Sequence, residues 1–448
     1  MKKNFWKKIL TVSLLSTALL AGCSSGSSNA SSDKSSAKGE ITDKKVTIKF
    51  SWWGADNRHE AMKNVAKLYE KKHKNVTVKV EYGAWDGWQS KVLTQLSGKT
   101  EADVMQVNYN WLYSFGKGKN IFYDINKVSD YLKLDNWDKT YLKAMQVDGQ
   151  QSAVPYGMTA RVNLMNQALY KENGIEIPKT YSDLLKAGKV IGKNNTSTGK
   201  DNKYALINVG DMALDLFLGQ MLYDNTGKVM QTDGKVNYTS AQVEKVLKQY
   251  KALEDAGAMP TYAQDSTIDT NSNPQWVEGR TGGVYEWANS LAQWTGTYKG
   301  GKATDDLKVS PYLQVSESKK PSVYVKPNFG YAISRNSKNP EVAADFINFI
   351  FTDKEAIKAA GDALGVSSNK VTYKTQLKEN LVEGAVKDAY DMFGGYKQTV
   401  MDPYYEDENV RGQRYDVIEG FRTGKYTAAQ AAKEFISKQQ EALDKYYR

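Results

Sequence analysis

The alternation of apolar and polar residues near position 50 predicts the first folded unit of the chain. Apolar side chains alternate with polar ones over 46–52 and again over 76–82, which is the period of a β-strand. Between these segments, apolar residues recur at i, i+3, i+4 and i+7 over 59–72, which is the period of a helix with one buried face. A strand, a helix and a second strand in this order predict a βαβ unit with two parallel strands.

The same patterns continue along the chain and predict a mixed α/β protein. Thr180 with Asp183, and Thr427 with Gln430, have the spacing of capping boxes that begin helices. No βα repeat is regular enough for a barrel, so we predict two α/β lobes with a ligand cleft between them. Further helices are predicted over 88–98, 167–173, 211–222, 240–256 and 340–351, and further strands over 102–107, 161–166, 281–287 and 322–334.

The first 43 residues have a different character. Four lysines precede an apolar run over 9–20, which is the layout of a secretory signal and is too short for a membrane-spanning helix. Residues 20–23 (LAGC) resemble the lipobox of bacterial lipoproteins, which implies a signal peptide over 1–22 and lipidation of Cys23. An ordinary signal peptide followed by a chance cysteine is the alternative. The serine-rich residues 23–43 predict a flexible tether.

Composition narrows the possible functions. The formal net charge is +10, but the lysines are scattered after the signal segment, so nucleic-acid binding is not indicated. Two histidines and one cysteine leave little scope for metal binding, and we predict neither a metal nor a cofactor. The 29 tyrosines and 10 tryptophans suit ligands with apolar faces and hydroxyl edges, such as sugars, although most of these rings are expected to fill cores.

Aromatic and polar side chains follow the predicted strands, where open α/β sheets bind ligands. Trp52 continues the alternation of the first strand and is predicted to lie in the core. Trp53 points the other way and is the better platform for a sugar ring. Asp56 and Arg58 come next and can bind hydroxyl groups, unless they pair with each other or cap a helix.

Two further groups follow the next two strands. The first is a Trp-Asp-Gly-Trp segment, in which the second tryptophan has the alternative of packing beneath its own helix. The second places two amides between aromatic rings, with a local turn and a packed tryptophan as the alternative. The candidate ligand-binding residues in these groups are Trp85, Trp88, Asn108, Tyr109, Asn110 and Trp111.

Several segments resemble, in order, motifs of the family 1 extracellular solute-binding proteins, the carbohydrate receptors of ABC importers. They are 51–59 (SWWGADNRH), 102–106 (ADVMQ), parts of 154–181, 278–284 (EGRTGGV) and 339–347 (NPEVAADFI). Ala102, Met165 and Tyr181 depart from the usual Pro, Tyr and Trp. The resemblance spans about residues 45–355. It implies a type II periplasmic-binding-protein-like fold, an α/β architecture of two lobes joined by a hinge.

The resemblance also implies how the lobes divide the chain. The N-terminal lobe is expected to comprise 44–158 and 332–385, and the C-terminal lobe 159–331 and 386–448. Tyr156, Thr159 and Arg161 then lie at the first crossing between the lobes and are candidate ligand contacts. Arg161 can hold an acidic sugar or form a salt bridge at the hinge.

On the second lobe, Trp287 lies where the family places a stacking aromatic residue. Glu286 beside it accepts bonds from hydroxyl groups or pairs with Arg280, and Asn289 is a further candidate. Tyr405 and Arg411 lie in an irregular aromatic and charged stretch, for which a surface loop is the alternative. Lys326 and Asn328 are weaker candidates.

Together these features predict a lipid-anchored substrate-binding protein of an ABC importer. It is expected to act as a monomer on the outer face of the cytoplasmic membrane, in a Gram-positive cell, and to deliver a neutral or acidic oligosaccharide to the permease subunits. Binding without catalysis is predicted, because no H-E-x-x-H or P-loop motif occurs. The alternatives are an extracellular glycan-processing enzyme and the same fold with a non-sugar solute.

Overall fold

A computed structural model describes residues 41–197, 199, 201–265, 268, 270–315 and 322–447. The predicted signal peptide, Cys23 and most of the predicted tether lie outside the described residues. The strands are β1 (Val46–Trp53), β2 (Val76–Gly83), β3 (Val104–Val107), β4 (Gln146–Val147), β5 (Gln150–Gln151), β6 (Val154–Thr159), β7 (Arg161–Asn166), β8 (Gln231–Thr232), β9 (Lys235–Val236), β10 (Gly283–Trp287), β11 (Leu307–Ser310), β12 (Val323–Ile333) and β13 (Gln398–Val400).

Helices connect and cover these strands. They are α1 (Asp56–Lys72), α2 (Trp88–Gly98), α3 (Tyr109–Gly116), α4 (Lys139–Ala144), α5 (Gln167–Glu172), α6 (Tyr181–Ile191), α7 (Gly210–Thr226), α8 (Ser240–Asp255), α9 (Tyr262–Asp265), α10 (Pro274–Val277), α11 (Leu291–Thr297), α12 (Ala303–Asp306), α13 (Pro340–Thr352), α14 (Lys354–Ala360), α15 (Lys370–Lys378), α16 (Gly384–Gly394), α17 (Glu408–Arg422) and α18 (Ala428–Tyr447). Short 3-10 helices lie at Ile125–Val128, Leu134–Asn136 and Ala288–Ser290.

Many of the predicted elements are confirmed. The predicted βαβ unit forms, with β1 and β2 parallel and Val46 paired with Val76. The helix predicted over 59–72 begins earlier, at Asp56. Thr180 and Asp183 form the predicted capping box of α6, in which the Thr180 hydroxyl accepts from the Asp183 amide.

The larger sheet has six strands. Its order is β13-β12-β3-β1-β2, and β6 pairs with β12 beside this path. β1 is parallel to both β2 and β3, so the carboxyl ends of these three strands lie at the same edge. β12 is antiparallel to β3 and to β6. A second sheet of three antiparallel strands has the order β10-β7-β11.

The apolar side chains pack into two bodies, as the predicted two-lobe type II fold requires. One core surrounds β1 and α13, where the rings of Phe50 and Phe346 lie 5.2 Å apart; we call this body the first lobe. The second lobe contains the cores around α7, α8 and α18 and around Trp276. About 25 cal/mol is gained per Å² of apolar surface removed from water, so these cores are the main stabilising elements.

Two paired strands pass from one lobe to the other. In β6, Tyr156 packs in the first-lobe core and Met158 in the second. In β12, Val325 packs in the second lobe and Phe329 in the first, and the pairing register shifts on both sides of Phe329. A third segment joins them, because the Ser368 amide donates to the Tyr156 carbonyl at 2.8 Å.

The described residues contain no helix with the length and apolar character that crossing a bilayer requires. In the same residues, no group of three or more histidine, cysteine or acidic side chains is arranged to hold a metal ion.

Candidate ligand-binding site

A cavity of about 580 Å³ lies between the two lobes. On the first lobe it meets the carboxyl ends of three parallel strands: Trp53 ends β1, Trp85 follows β2, and Asn108 follows β3. This is the edge at which open α/β sheets place their ligands. Nine of the predicted ligand residues line the cavity: Trp53, Arg58, Trp85, Asn108, Asn110, Trp111, Trp287, Asn289 and Arg411.

Three tryptophans form the aromatic wall of the first lobe. The rings of Trp85 and Trp111 stack at 5.6 Å with 10° between their planes. Trp53 contacts Trp85 edge-on at 5.2 Å. Trp85 is 47% exposed whereas Trp111 is 1% exposed, so the open ring face belongs to Trp85 and the other two rings hold it in place. A flat ring fixed in this way stacks on a sugar with little loss of side-chain entropy.

Arg58 is fixed at the base of this wall. Its Nε donates to the Ala363 carbonyl at 3.0 Å, and one Nη lies 3.4 Å from the Trp53 carbonyl. Burial lowers the pKa of the Arg58 guanidinium from its ordinary value. The pairing of Arg58 with Asp56 that the sequence left open is absent from the described contacts, and Asp56 is exposed outside the cavity lining.

The wall of the second lobe is built around Trp287. Lys326 Nζ lies 4.4 Å from its ring centroid and Arg161 Cζ lies 4.9 Å from it, so two cations contact the indole. Lys326 is buried and forms an ion pair with Glu406. Burial lowers the pKa of the Lys326 ammonium, and the Glu406 carboxylate acts in the opposite direction.

Arg161 and Glu286 support this wall without lining the cavity. One Nη of Arg161 donates to the Tyr285 carbonyl at 2.8 Å and lies 3.6 Å from the Glu286 carboxylate. Arg161 therefore has the structural contacts that were the alternative to ligand binding. The predicted pairing of Glu286 with Arg280 is wrong, because Glu286 lies beside Arg161 and Arg280 pairs with Glu278. Its position beneath Trp287 makes it a support for the aromatic platform.

Three predicted residues of the first lobe lie in the core. Trp88 is 3% exposed and packs beneath its own helix, as the alternative for it foresaw. The Tyr109 hydroxyl donates to the Met401 carbonyl at 3.0 Å. Tyr156 is stacked on Phe329, with 5.2 Å between the ring centroids. None of these three lines the cavity, because strand and helix geometry turns each of them inward.

Two predicted residues of the second lobe contact other protein groups and do not line the cavity. The Thr159 hydroxyl donates to Asn289 Oδ1 at 2.6 Å and so orients a lining residue. Tyr405 is buried beneath the Arg414 guanidinium, with Cζ 4.2 Å from the ring centroid. The direct contact of these residues with a ligand stays a prediction that the geometry does not favour.

The cavity also contains residues outside the main predicted set. Glu406 belongs to the irregular, charged stretch that was considered together with Tyr405 and Arg411, and those surroundings were its only signal. Lys326, a weaker candidate, had a clearer one, because it is a lone charge within an otherwise apolar strand. Apart from alanines, the other unforeseen side chains of the lining are Asn57, Gln89, Met212, Ser290, Gln293, Asp362, Asp407 and Glu408.

Comparisons with known proteins agree with this architecture. Diacetylchitobiose binding protein DasA of Streptomyces coelicolor is 24% identical over 338 residues, which cover 73% of this chain and 74% of that protein. A carbohydrate ABC transporter substrate-binding protein of Streptococcus pneumoniae is 25% identical over 440 residues, covering 92% and 82% of the two chains. Among solved structures, the periplasmic oligogalacturonide binding protein of Yersinia enterocolitica, in complex with saturated digalacturonic acid, has 25% identity and a TM-score of 0.80. It covers 90% of this chain and 100% of its own.

The family match extends over most of the chain. Residues 64–383 match the profile described as bacterial extracellular solute-binding protein. This range includes the three-stranded sheet, strands β2, β3, β6 and β12 of the larger sheet, and Trp85, Trp111 and Trp287 of the cavity walls. The family, the two relatives and the solved structure named above are all described as binding proteins. The chain belongs to the bacterial extracellular solute-binding proteins.

Proposed function

We propose that this protein is the substrate-binding component of an ABC importer and captures an oligosaccharide between its two lobes. The observation that carries the proposal is the presence of tryptophans on both walls of one cavity. Trp53, Trp85 and Trp111 face it from the first lobe, and Trp287 faces it from the second. Aromatic faces bind the C–H side of a sugar ring, and the amides and charged groups around them bind its hydroxyls.

Closure of the lobes is the proposed mechanism. A ligand shifts an open–closed equilibrium only as far as it binds the closed state more tightly, so it has to contact both lobes. The two-walled cavity meets this requirement. The closed, loaded protein would then present its sugar to the permease subunits as a monomer.

The named relatives support a sugar as the ligand. The protein from Streptomyces coelicolor is named for diacetylchitobiose, and the structure from Yersinia enterocolitica contains saturated digalacturonic acid. Both ligands are oligosaccharides, and they differ in charge.

Intrinsic tryptophan fluorescence and calorimetry with a panel of oligosaccharides test this proposal. At least one sugar is expected to change the fluorescence, because four tryptophans line the cavity. Trp85→Ala and Trp287→Ala are each expected to weaken its binding tenfold or more, which is about 1.4 kcal/mol.

The matched control is Tyr131→Ala, which removes a ring that is 38% exposed and lies outside the cavity lining. Its affinity should equal that of the unaltered protein. The absence of fluorescence change and of heat across the whole panel would contradict the proposed function.

Binding without turnover is part of the proposal. The recovered sugar should be unchanged by mass spectrometry after prolonged incubation, and the release of shorter products would favour the enzymatic alternative.

We also propose that a lipid on Cys23 holds the protein at the outer face of the cytoplasmic membrane of a Gram-positive cell. Two acyl chains give durable anchoring where one does not. Cys23→Ala should move the protein from the membrane fraction to the medium. Retention of this variant in the membrane fraction would contradict the proposed lipid anchor.

A further inference from the structure

Three oxygen atoms of cavity-lining residues accept no hydrogen bond from any residue that the structure describes. They are Asn108 Oδ1, Asn110 Oδ1 and Glu406 Oε1, and all three are shielded from solvent. The indole nitrogen of Trp111 is an unpaired donor in the same lining. Because buried polar atoms almost always have partners, an excess of acceptors indicates a ligand that supplies donors.

Glu406 is the most constrained of these acceptors. It is 8% exposed, and its other carboxylate oxygen pairs with Lys326. Lys326 in turn lies against the face of Trp287. The carboxylate is therefore held rigidly, with one oxygen neutralised by the lysine and the other left for a partner from the cavity.

The charges of the lining favour the same conclusion. Four carboxylates line the cavity, those of Asp362, Glu406, Asp407 and Glu408, against three cations. Of the cations, Arg58 donates to backbone carbonyls and Lys326 is paired with Glu406. The third, Arg411, lies on α17 and has no ion pair in the described contacts, and acidic side chains outnumber basic ones in the lining by four to three.

We infer that the cleft selects neutral oligosaccharides, whose hydroxyls donate hydrogen bonds, and discriminates against uronic acids, with Glu406 as the specificity-determining residue. This inference rests on the proposed function and narrows the range of neutral and acidic sugars that the sequence left open. A uronate carboxylate has no proton to donate at neutral pH. It would also place a second carboxylate against the partnerless oxygen of Glu406, in a lining where acidic side chains outnumber basic ones, and such a like-charge contact is an established way of rejecting a wrong ligand.

The test compares sugars that differ only at the carbon that carries the carboxylate. Disaccharides of 1,4-linked galactose and galacturonic acid, and of 1,4-linked glucose and glucuronic acid, are titrated into the full-length protein alongside longer neutral oligosaccharides. The neutral members are expected to bind at least tenfold more tightly than the acidic ones. Tighter or equal binding of a uronate would overturn this inference and leave the proposed function intact, whereas no binding by any sugar would overturn both.

Glu406→Gln removes the charge and keeps the shape. It is expected to reduce the discrimination against the uronate threefold or more, and unchanged discrimination would contradict the role of Glu406. The matched control is Glu434→Gln on α18, whose side chain is 46% exposed and which lies outside the cavity lining. It should discriminate as the unaltered protein does.

A second measurement needs no variant and therefore does not depend on whether Glu406→Gln folds. Raising the salt concentration from about 0.01 M to about 1 M shortens the screening length from ~30 Å to ~3 Å. If the cleft repels uronates, their affinity should rise with salt. A fall in that affinity would show attraction by the arginines and would overturn the inference.

Discussion

Asp224 is a buried carboxyl group near the end of α7. Gln220 donates to one of its oxygens at 3.0 Å. Burial raises the pKa of Asp224 from 3.8 to about 7. The folded protein therefore keeps a proton that the unfolded chain has already lost.

Protein stability should consequently fall as the pH rises. The stability that the protonated Asp224 carboxyl contributes is fully present below about pH 4. As the pH rises through about 7 this contribution is lost, and the free energy of unfolding falls by up to about 4 kcal/mol. Asp224→Asn should flatten the stability profile between pH 5 and pH 8, as measured by urea denaturation. Asp255→Asn, at an exposed position on α8, is the control that should keep the original slope; an equal slope in both variants would refute the assignment.

At the residue scale, alternation along a strand was a sound guide. It predicted Trp52 in the core and Trp53 at the cleft, and the structure places Trp52 at 0% exposure and Trp53 in the cavity lining. The pairing of Lys326 with Glu406 was not predictable, because the two residues are far apart in the chain and belong to no shared local pattern. Sequence periodicity reports which face of an element is buried, but not which charged group of another element will meet it.

At the scale of elements, α7 is joined to α17 by a buried ion pair. Arg414 Nε donates to Asp215 Oδ1 at 2.8 Å, and Nη2 donates to Oδ2 at 2.7 Å. The side chains are 0% and 2% exposed. The pair therefore fixes one helix against the other, next to the residues that form the second wall of the cavity.

Asp215→Ala should lower the free energy of unfolding by about 3–5 kcal/mol, because it leaves the Arg414 charge buried without a partner. Chemical denaturation measures the loss. The control is Glu244→Ala, which breaks the 2.7 Å pair with Lys248 on the exposed face of α8 and should change stability by less than about 0.5 kcal/mol. Similar losses in the two variants would contradict the argument.

Elements that depend on local signals were predicted well, and their long-range partners were not. The strand predicted over 322–334 is β12, and the helix predicted over 88–98 is α2. The expected division of the chain placed a lobe boundary at 331/332, whereas Phe329 and Tyr331 pack in the first-lobe core. The pairing of β12 with both β3 and β6 decides this packing, and no local pattern encodes it.

At the scale of the whole molecule, Gly157 lies where the crossing segments meet. A Cβ atom at this position would lie 2.1 Å from the Val366 carbonyl oxygen, which is closer than such contacts can be. The neighbouring Ser367 hydroxyl donates to the Tyr156 carbonyl at 2.9 Å. Close approach of backbone to backbone therefore requires glycine here.

Gly157→Ala should lower the free energy of unfolding by about 1–3 kcal/mol through overpacking at the junction between the lobes. Gly296→Ala is the matched control, since a Cβ atom there meets nothing within 4 Å; in helix α11 it should raise stability by up to about 1 kcal/mol. Urea denaturation compares the free energies of unfolding of the two variants. An unchanged value for Gly157→Ala would contradict the argument, because it would mean that residues 365–368 shift freely.

The crossing strands also bear on the order in which the protein is made and folds. β6 cannot complete its pairing until β12 has been synthesised, in the final third of the chain. Phe346 and Ile347, which complete the first-lobe core, follow later still, and the second-lobe core includes Phe435. Contacts between such distant segments slow folding, and neither lobe can finish as an independent unit. The earliest segment of the folded protein therefore stays incomplete until the last quarter of the chain has begun to emerge.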